Sequence, residues 1–228
     1  MLIPARNAEA LLPRCLRSVQ RARRAVRHQV TTDLVVVADS STDRTEQIAR
    51  EMIGTSGCLV RTTAGVVGSA RALAARLAIC RYHGPLETCW LANTDADCVV
   101  PEDWLSLQLS LAQRGHSAVA GIVDVDSYEE HMPMVQQMFC RSYLLHSDGI
   151  HPHVHGANLG VRADAYLRAG GWAHKATAED HDLWQRLQRA GERRLFDVRL
   201  KVLTSGRRVG RAPLGFAAAL AAHNQGKR

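Results

Sequence analysis

The chain has 228 residues, of which 46% are hydrophobic and 22% charged, and its formal net charge is +7. This length and balance exclude an intrinsically disordered chain and predict one domain with a sizeable core. Aromatic residues make up only 5% and no nucleic-acid-binding module is visible, so nucleic acid is not expected as a partner.

Short apolar runs alternate with longer helical patterns along the chain. Strands are predicted at residues 34–37, 58–60, 89–92 and 118–123, and helices at 43–52, 68–80, 134–145 and 179–190. Another helix opens near Pro101 and Trp104, and Gly191 is suited to end the last one. Such alternation is typical of a Rossmann-like, mostly parallel central sheet flanked by helices. With no linker visible, the sequence predicts a single α/β domain.

Much of the positive charge lies near the start of the chain. Six arginines stand close together there: Arg14, Arg17, Arg21, Arg23, Arg24 and Arg27. Three interpretations compete. The group could be a solvated helix face, a surface attracted to an anionic membrane or anionic substrate, or a nucleic-acid contact. The low aromatic content makes the third the weakest, whereas a peripheral contact with a membrane stays open.

The cysteines and the apolar segments predict the compartment. There are six cysteines and no C-x-x-C pair, which is typical of reduced thiols in a cytosolic protein. No signal peptide is evident, and no apolar run reaches the ~20 residues of a membrane span. The expected location is therefore the cytoplasm, with contact at the inner face of the membrane left open.

Polar clusters follow three of the predicted strands. Pro4-Ala5-Arg6-Asn7 follows a short first strand at Met1-Leu2-Ile3, Asp39 follows the strand at residues 34–37, and Asp95-Ala96-Asp97 follows the strand at residues 89–92. In open α/β sheets, ligands bind beyond the carboxyl ends of the strands. Three polar loops at one edge of the sheet therefore predict a composite nucleotide site.

Asp95 and Asp97 are the sharpest local signal for a metal. Two carboxylates at spacing two in a loop can converge on one hard cation, and Mg²⁺ or Mn²⁺ prefers such oxygen ligands together with substrate phosphates. The alternative is that these aspartates only cap the helix that follows Pro101.

The acidic run Glu179-Asp180-His181-Asp182 stands at the start of a predicted helix. Acids there are favoured by the helix dipole, which alone could explain them. A carboxylate in this run could instead serve as a general base toward an acceptor hydroxyl. Helical geometry prevents all three acids from pointing at one substrate.

Two further patterns have competing interpretations. His151, His153 and His155 would share one face of a strand and could bind a transition metal, or they could belong to an acceptor loop. The turn Thr204-Ser205-Gly206-Arg207-Arg208 could clamp a diphosphate, or it could be an ordinary exposed turn.

Taken in order, these motifs resemble those of the family 2 glycosyltransferases, which have the GT-A fold. The resemblance spans nearly the whole chain. Its motifs are Ile3-Pro4-Ala5-Arg6-Asn7, Val35 to Thr45, Gly68-Ser69-Ala70-Arg71, Thr94-Asp95-Ala96-Asp97, Pro101-Glu102-Asp103-Trp104-Leu105, His155-Gly156-Ala157-Asn158 with Arg162 and Gly170-Gly171-Trp172, and Glu179-Asp180-His181-Asp182-Leu183-Trp184. Each is weak alone, but their shared order is specific.

The resemblance implies inverting transfer of a sugar from a nucleotide-diphosphate donor, expected to be a UDP-sugar, to an acceptor hydroxyl. Asp180 would be the base, helped by Glu179, and Asp97 with Asp95 would hold Mn²⁺ or Mg²⁺. Residues 1–100 would form the donor half and residues 101–228 the acceptor half. The expected donor contacts are Pro4, Ala5, Arg6, Glu9, Asp39, Arg71, Asp95, Gly156, Asn158 and Arg207. The acceptor, whether glycan, lipid-linked or small molecule, is not determined.

The chain departs from the family pattern at two points. Ala8 stands where an acid is usual, with Glu9 behind it, and a third metal ligand has no clear counterpart among His174, His181 and His223. The first strand is also short, which leaves open whether residues precede it. Two other functions compete: a nucleotidyltransferase, whose glycine-rich opening loop is missing here, and a non-catalytic nucleotide-sugar binder.

Overall fold

The computed structural model describes residues 1–143, 151–211 and 215–225. The strands are β1 (Leu2–Ala5), β2 (Val35–Asp39), β3 (Cys58–Thr62), β4 (Trp90–Asn93), β5 (Ala118–Val125), β6 (Leu159–Arg162) and β7 (Arg194–Thr204). The helices are α1 (Leu12–Ala25), α2 (Thr45–Ile53), α3 (Val67–Arg81), α4 (Trp104–Gln113), α5 (Met134–Ser142), α6 (Ala163–Arg168), α7 (Glu179–Arg189) and α8 (Phe216–Ala222).

The seven strands form one sheet in the order β3-β2-β1-β4-β6-β5-β7. Strands β1, β2, β3 and β4 are mutually parallel, and β5 is parallel to β7. The chain order reverses between β1 and β4, because β2 and β3 extend from one side of β1 and β4 lies on the other. Such a switch point opens a crevice at the carboxyl ends of the two strands.

Both faces of the sheet are covered, as the near-continuous apolar run of β2 requires. Val36 packs on one side in a core with Leu16 of α1 and Trp104 of α4. Val35 and Val37 point the other way into a second core with α3, α6 and α7. A small third cluster joins α5 to α8.

The prediction of a mostly parallel α/β domain is confirmed, with differences in detail. β6 is antiparallel to both β4 and β5, and its four residues are too few to show a period in sequence. Strand β7 was also not predicted, because charged residues such as Arg199 and Lys201 interrupt its apolar positions on the edge of the sheet.

The helix boundaries shift by one to three residues. The helix predicted at 43–52 begins at Thr45, because Asp43 accepts the Thr45 backbone N–H at 3.0 Å from outside the helix. The helix predicted at 134–145 ends at Ser142, and residues 144 and 145 lie outside the described residues. Within the part described, no helix is long and apolar enough to span a membrane.

Candidate active site

A cavity of about 440 Å³ opens at the carboxyl ends of β1, β2 and β4, at the switch point of the sheet. Side chains from three strand-end loops and from the chain after β7 line it together. The lining residues are Pro4, Ala5, Arg6, Ala8, Asp39, Gly65, Val67, Ala70, Asp95, Ala96, Asp97, Ala176, Arg207 and Arg211. The predicted convergence of the strand-end loops therefore corresponds to a real cavity of ligand size.

The loops after β1 and β2 are locked together at one end of this cavity. The Asn7 side-chain oxygen accepts the Thr42 backbone N–H at 2.8 Å. Asp39 is buried, and its carboxylate accepts the Gly65 N–H at 2.9 Å. Gly65 in turn accepts a hydrogen bond from Arg6 Nη1 at 3.2 Å. Asp39 is thus fixed, while its side chain still borders the cavity.

Backbone strain is concentrated around the same cavity. Among the described residues, three that are not glycine have positive φ: Asn7 at 45°, Ser40 at 49° and Ala178 at 57°. They lie after β1, after β2 and directly before α7. Such conformations cost of order 1–3 kcal/mol each and recur at functional sites, where surrounding contacts enforce them.

The loop after β4 presents Asp95 and Asp97 to the middle of the cavity. Its backbone is held from below by the first turn of α1. Arg14 Nη2 donates to the Asp97 carbonyl at 2.9 Å, and Cys15 Sγ donates to the Asp95 carbonyl at 3.2 Å. Ligand atoms of Asp95, Asp97 and Cys98 lie within 4.8 Å of one another. Burial raises the pKa of the Cys98 thiol well above its ordinary value, so the carboxylates are the available ligands.

Arg71 of α3 connects the loop after β4, which carries Asp95 and Asp97 and is called the metal-type loop below, to the start of α7. Its Nη2 donates to Asp95 Oδ1 at 2.6 Å, its Nε to Glu179 Oε1 at 3.1 Å and its Nη1 to the Gly156 carbonyl at 3.0 Å. It also lies over the Trp172 ring, 5.3 Å from the centroid. Burial alone would lower the pKa of Arg71, but the carboxylates around it raise it, so the guanidinium is permanently charged.

The same cluster shifts the titration of Asp95. Burial raises the pKa of Asp95, the Arg71 guanidinium lowers it, and the Asp97 and Glu179 carboxylates raise it further, to about 6 overall. A cation between Asp95 and Asp97 would oppose this rise, because it favours both ionised carboxylates.

The three acids at the start of α7 have three different environments. Glu179 is buried against Arg71. Asp182 pairs with Lys175 at 2.7 Å and with Arg186 at 2.6 Å. Asp180 is half-buried, and its carboxylate accepts the backbone N–H groups of Gly156 and of His181, both at 2.8 Å. Of these three acids, only Asp180 has no arginine or lysine partner in the described part of the chain.

The sequence profile described as Glycosyl transferase family 2 matches residues 1–168. The chain belongs to this family. The match favours sugar transfer over the nucleotidyltransferase and non-catalytic alternatives. No curated protein sequence matches the chain.

Solved structures of similar fold include other glycosyltransferases. S. aureus TarS (residues 1–349) is 14% identical with a TM-score of 0.62, and the match covers 90% of this chain and 59% of that fragment, so the chain spans less than two thirds of its length. The Pyrobaculum calidifontis mannosyltransferase PcManGT, in complex with GDP-Man and Mn²⁺, is 20% identical with a TM-score of 0.60, covering 98% and 68%. M. tuberculosis glucosyl-3-phosphoglycerate synthase, with Mn²⁺, UDP-glucose and phosphoglyceric acid, is 16% identical with a TM-score of 0.58, covering 97% and 74%. At these identities the likeness supports the GT-A fold.

Most of the residues predicted for the glycosyltransferase site lie at or beside the cavity. Pro4, Ala5, Arg6, Asp39, Asp95, Asp97 and Arg207 line it directly. Arg71, Gly156, Glu179 and Asp180 form the hydrogen-bonded layer next to Asp95. A Cβ on Gly156 would lie 2.5 Å from Arg71 Nη2, so this close approach requires a glycine.

Two predicted donor contacts lie elsewhere. Glu9 is not in the cavity lining, and its carboxylate instead accepts the backbone and side-chain N–H groups of Arg44, at 3.1 and 3.2 Å. Asn158 is fully buried and its amide is used within the fold. It donates to the carbonyls of Ile122 and Leu200 and accepts from Trp104 Nε1, all within 2.9 Å. Its role in this structure is to fix the inner layer of the sheet.

The histidines do not complete a metal site. His174 hydrogen-bonds Ser69, His223 lies 3.4 Å from Ser142 Oγ, and His181 is exposed. Within the described ranges, the only metal-suited group of three residues is Asp95 with Asp97 and Cys98. The rings of His151, His153 and His155 are stacked 5.9 Å apart, so they do not converge on one ion.

His155 nevertheless lies next to Gly156, whose backbone N–H donates to Asp180. Its Nε2 is 2.9 Å from the Tyr143 hydroxyl, and its backbone precedes Gly156. Burial lowers the pKa of His155 to about 4, against the raising influence of Asp180. The ring is therefore neutral at neutral pH.

Sequence reasoning missed several residues of the site. Arg211 lines the cavity and donates to the Asn7 carbonyl at 2.8 Å, and Arg14 holds the metal-type loop from α1. Trp172 covers Arg71. Arg211 continues the basic run that begins at Arg207, which was the available signal. Arg14 could not be separated in sequence from the other arginines of α1.

Proposed function

We propose that this glycosyltransferase moves a sugar from a nucleoside-diphosphate donor, a UDP-sugar, to an acceptor hydroxyl with inversion at the anomeric carbon. The observation that carries the proposal is the cavity at the switch point, which is lined by Asp39, by Asp95 and Asp97, and by two arginines. Carboxylates that can hold a cation, together with arginines, are the contacts that a nucleoside diphosphate needs.

The residues around Asp95 and Asp97 fit a divalent cation. Both side chains offer carboxylate oxygens within 4.8 Å of each other, and oxygen is the ligand type that Mg²⁺ and Mn²⁺ prefer. When bound, such a cation supplies Lewis-acid stabilisation of the departing diphosphate. Arg207 and Arg211 would contact the phosphate oxygens, since both line the cavity.

In this proposal Asp180 takes the proton of the acceptor hydroxyl. Two backbone N–H groups hold its carboxylate in a fixed orientation. The neighbouring acids Glu179 and Asp182 form ion pairs with arginine side chains. Glu179 therefore acts through Arg71 as a positioning residue. Inversion follows, because an acceptor activated by one base attacks in a single displacement opposite the leaving diphosphate.

The division into a donor half, residues 1–100, and an acceptor half, residues 101–228, stays part of this proposal. Eleven of the fourteen lining residues come from the first half, which supports it. Ala176, Arg207 and Arg211 come from the second half, so the donor cavity draws on both.

We extend the proposal to a peripheral contact with anionic membrane lipid, which suits a lipid-linked acceptor. Arg17, Arg21 and Arg24 are exposed along one face of α1, and we call them the basic stripe. None has a carboxylate within 4.0 Å among the residues described. Arg14, one turn before the stripe, contacts the Asp97 loop, so a membrane on this face would lie near the cavity.

Two other arginines of that region, Arg14 and Arg23, have structural partners. Arg14 pairs with Asp126, and Arg23 donates to the carbonyls of Thr32 and Ser56 at 3.2 and 2.8 Å. The interpretation of one continuous basic group thus narrows to the stripe. A cytoplasmic location stays part of the proposal, supported by six free cysteines.

Thermal shift measurements test the donor proposal. Binding to the folded state alone stabilises by about 2.7 kcal/mol at a ligand concentration of 100 Kd. For a chain of this size that corresponds to a Tm rise of roughly 5–10 °C. We expect the rise with UDP and Mn²⁺ together, and less with GDP or dTDP. A larger rise with GDP would overturn the choice of nucleotide, and none with any nucleotide would overturn the proposal.

A further inference from the structure

Arg207 stands on a loop that is fixed tightly at the rim of the cavity. The Gly206 N–H donates to Asp126 Oδ1 at 2.9 Å, and the Gly206 carbonyl is 2.7 Å from His131 Nε2. A Cβ at Gly206 would lie 1.8 Å from the Ser127 carbonyl oxygen, so only glycine fits. The backbone that carries Arg207 is therefore held in place. If a ligand binds here, the arginine side chain would move and the backbone would not.

That side chain is poorly satisfied where it lies. Arg207 Nη2 is 2.7 Å from Asp97 Oδ2, and the Asp97 side chain is 16% exposed. Arg207 Nε is buried and has no hydrogen-bond partner within the described part of the chain. A guanidinium has five N–H donors in a planar fork that matches two phosphate oxygens better than one carboxylate oxygen. A diphosphate in the cavity would accept hydrogen bonds from guanidinium N–H groups, such as Nε, that have no acceptor in this conformation.

The contact with Asp97 also conflicts with a cation at the same carboxylate. Asp97 Oδ1 is 3.7 Å from Cys98 Sγ, which leaves Oδ2 as the oxygen that faces Arg207. A divalent cation and a guanidinium at one carboxylate repel each other at short range. Binding of the cation to Asp97 therefore weakens the contact with Arg207, and the reverse also holds.

We propose that Arg207 is an exchangeable counter-ion of Asp97: it neutralises this carboxylate before the donor binds, and it moves to the donor diphosphate when a divalent cation takes its place. The inference rests on the proposed function. Cation and nucleoside diphosphate then assist each other's binding, because the arginine displaced by one becomes a ligand of the other. This mutual effect is a coupling free energy and is reciprocal.

Arg211 supplies the matched control. It lines the same cavity and carries the same charge, but it donates to the backbone carbonyl of Asn7 and has no carboxylate partner among the described residues. Arg211→Gln therefore removes a positive charge from the cavity without freeing a metal-type ligand.

The experiment measures Mn²⁺ binding to the wild type, Arg207→Gln, Arg207→Lys and Arg211→Gln, by electron paramagnetic resonance of the free ion, with and without UDP. Protein-free samples correct for Mn²⁺ held by UDP alone. Without UDP we expect Arg207→Gln to bind Mn²⁺ about fivefold more tightly than the wild type, because the cation no longer competes with the ion pair between Arg207 and Asp97. Arg207→Lys, which keeps the competing charge, and Arg211→Gln are expected to stay closer to the wild type. UDP is expected to increase the Mn²⁺ affinity of Arg207→Gln less than it increases that of the wild type, by a similar factor.

Three other outcomes would refute the proposed movement of Arg207 from Asp97 to the diphosphate. Unchanged or weaker Mn²⁺ binding by Arg207→Gln without UDP, in a variant whose Tm matches the wild type, refutes it while the proposed function stands. An equal gain in Arg211→Gln would mean that general charge repulsion is relieved, and it also refutes the exchange. Absence of Mn²⁺ binding to every protein, even with UDP, would overturn the exchange and the metal-assisted function together.

Discussion

The ion pair between Arg71 and Glu179 offers the most direct test of how this site is built. The Arg71 side chain is 3% exposed and that of Glu179 is 7% exposed, and their atoms meet at 3.1 Å. Arg71→Met keeps the volume and removes the charge, which strands a buried carboxylate. Breaking a buried pair in this way costs about 3–5 kcal/mol, because the remaining charge is desolvated without compensation.

For a chain of this size, that loss corresponds to a fall in Tm of roughly 6–20 °C. Urea unfolding followed by circular dichroism gives the free energy directly. The double variant Arg71→Met with Glu179→Gln is expected to recover part of the loss, because the stranded charge is gone. Arg50→Met is the matched control, since Arg50 pairs with Glu46 at 2.5 Å but is 67% exposed.

The control is expected to cost less than about 0.5 kcal/mol, as surface pairs on one helix face usually do. A loss of stability below about 1 kcal/mol for Arg71→Met would refute the reasoning. It would mean that the Glu179 carboxylate is hydrated or protonated without disturbing the fold. Equal stability of the single and double variants would refute the role assigned to the stranded carboxylate.

Four further predictions concern catalysis, pH and the membrane. Asp97→Ala is expected to reduce Mn²⁺-dependent transfer by roughly 100-fold or more with little change in Tm, since Lewis-acid stabilisation is worth several kcal/mol; near-normal transfer would contradict the metal assignment. Asp180→Asn should lower kcat by about 10²- to 10⁴-fold while the Tm rise with UDP persists, and near-normal turnover would exclude it as the base. The pKa of His155 lies at about 4, below its ordinary 6.5. Between these two pH values the unfolded chain binds a proton at His155 and the folded chain does not. The free energy of unfolding therefore falls as pH drops from about 6.5 towards about 4. Thermal melts across this range should show a smaller fall in His155→Gln, whose neighbours Asp180, His153, His181 and His151 are unchanged, and an identical fall would argue against this origin. Replacing all three arginines of the basic stripe by glutamine should weaken sedimentation with anionic phospholipid vesicles about 100-fold at low salt, at roughly fivefold per arginine; binding to neutral vesicles that is equally strong would contradict the electrostatic contact.

The sequence alone determined the fold class and the order of the motifs. The apolar run of β2 is buried on both faces, and alternation with helical segments implies a parallel sheet, whose strand ends meet at one edge. Asp39, Asp95 and Asp97 were therefore expected to converge from their positions after strands, and they line one cavity. These inferences depend on local periodicity and chain direction, both of which are written in the sequence.

Only the tertiary structure decided what each polar side chain does. Asn158 and Asp39 stand equally well in their motifs, yet the amide of Asn158 is consumed by carbonyls of β5 and β7, while Asp39 borders the cavity. Glu179, Asp180 and Asp182 are adjacent in sequence and were separable only by their partners. The partner of Glu179 is Arg71, which is more than 100 residues earlier in the chain. Hydrogen-bond partners at such separations depend on packing of whole elements, so no local pattern could assign Arg14 to the backbone carbonyl of Asp97 and Arg207 to its carboxylate.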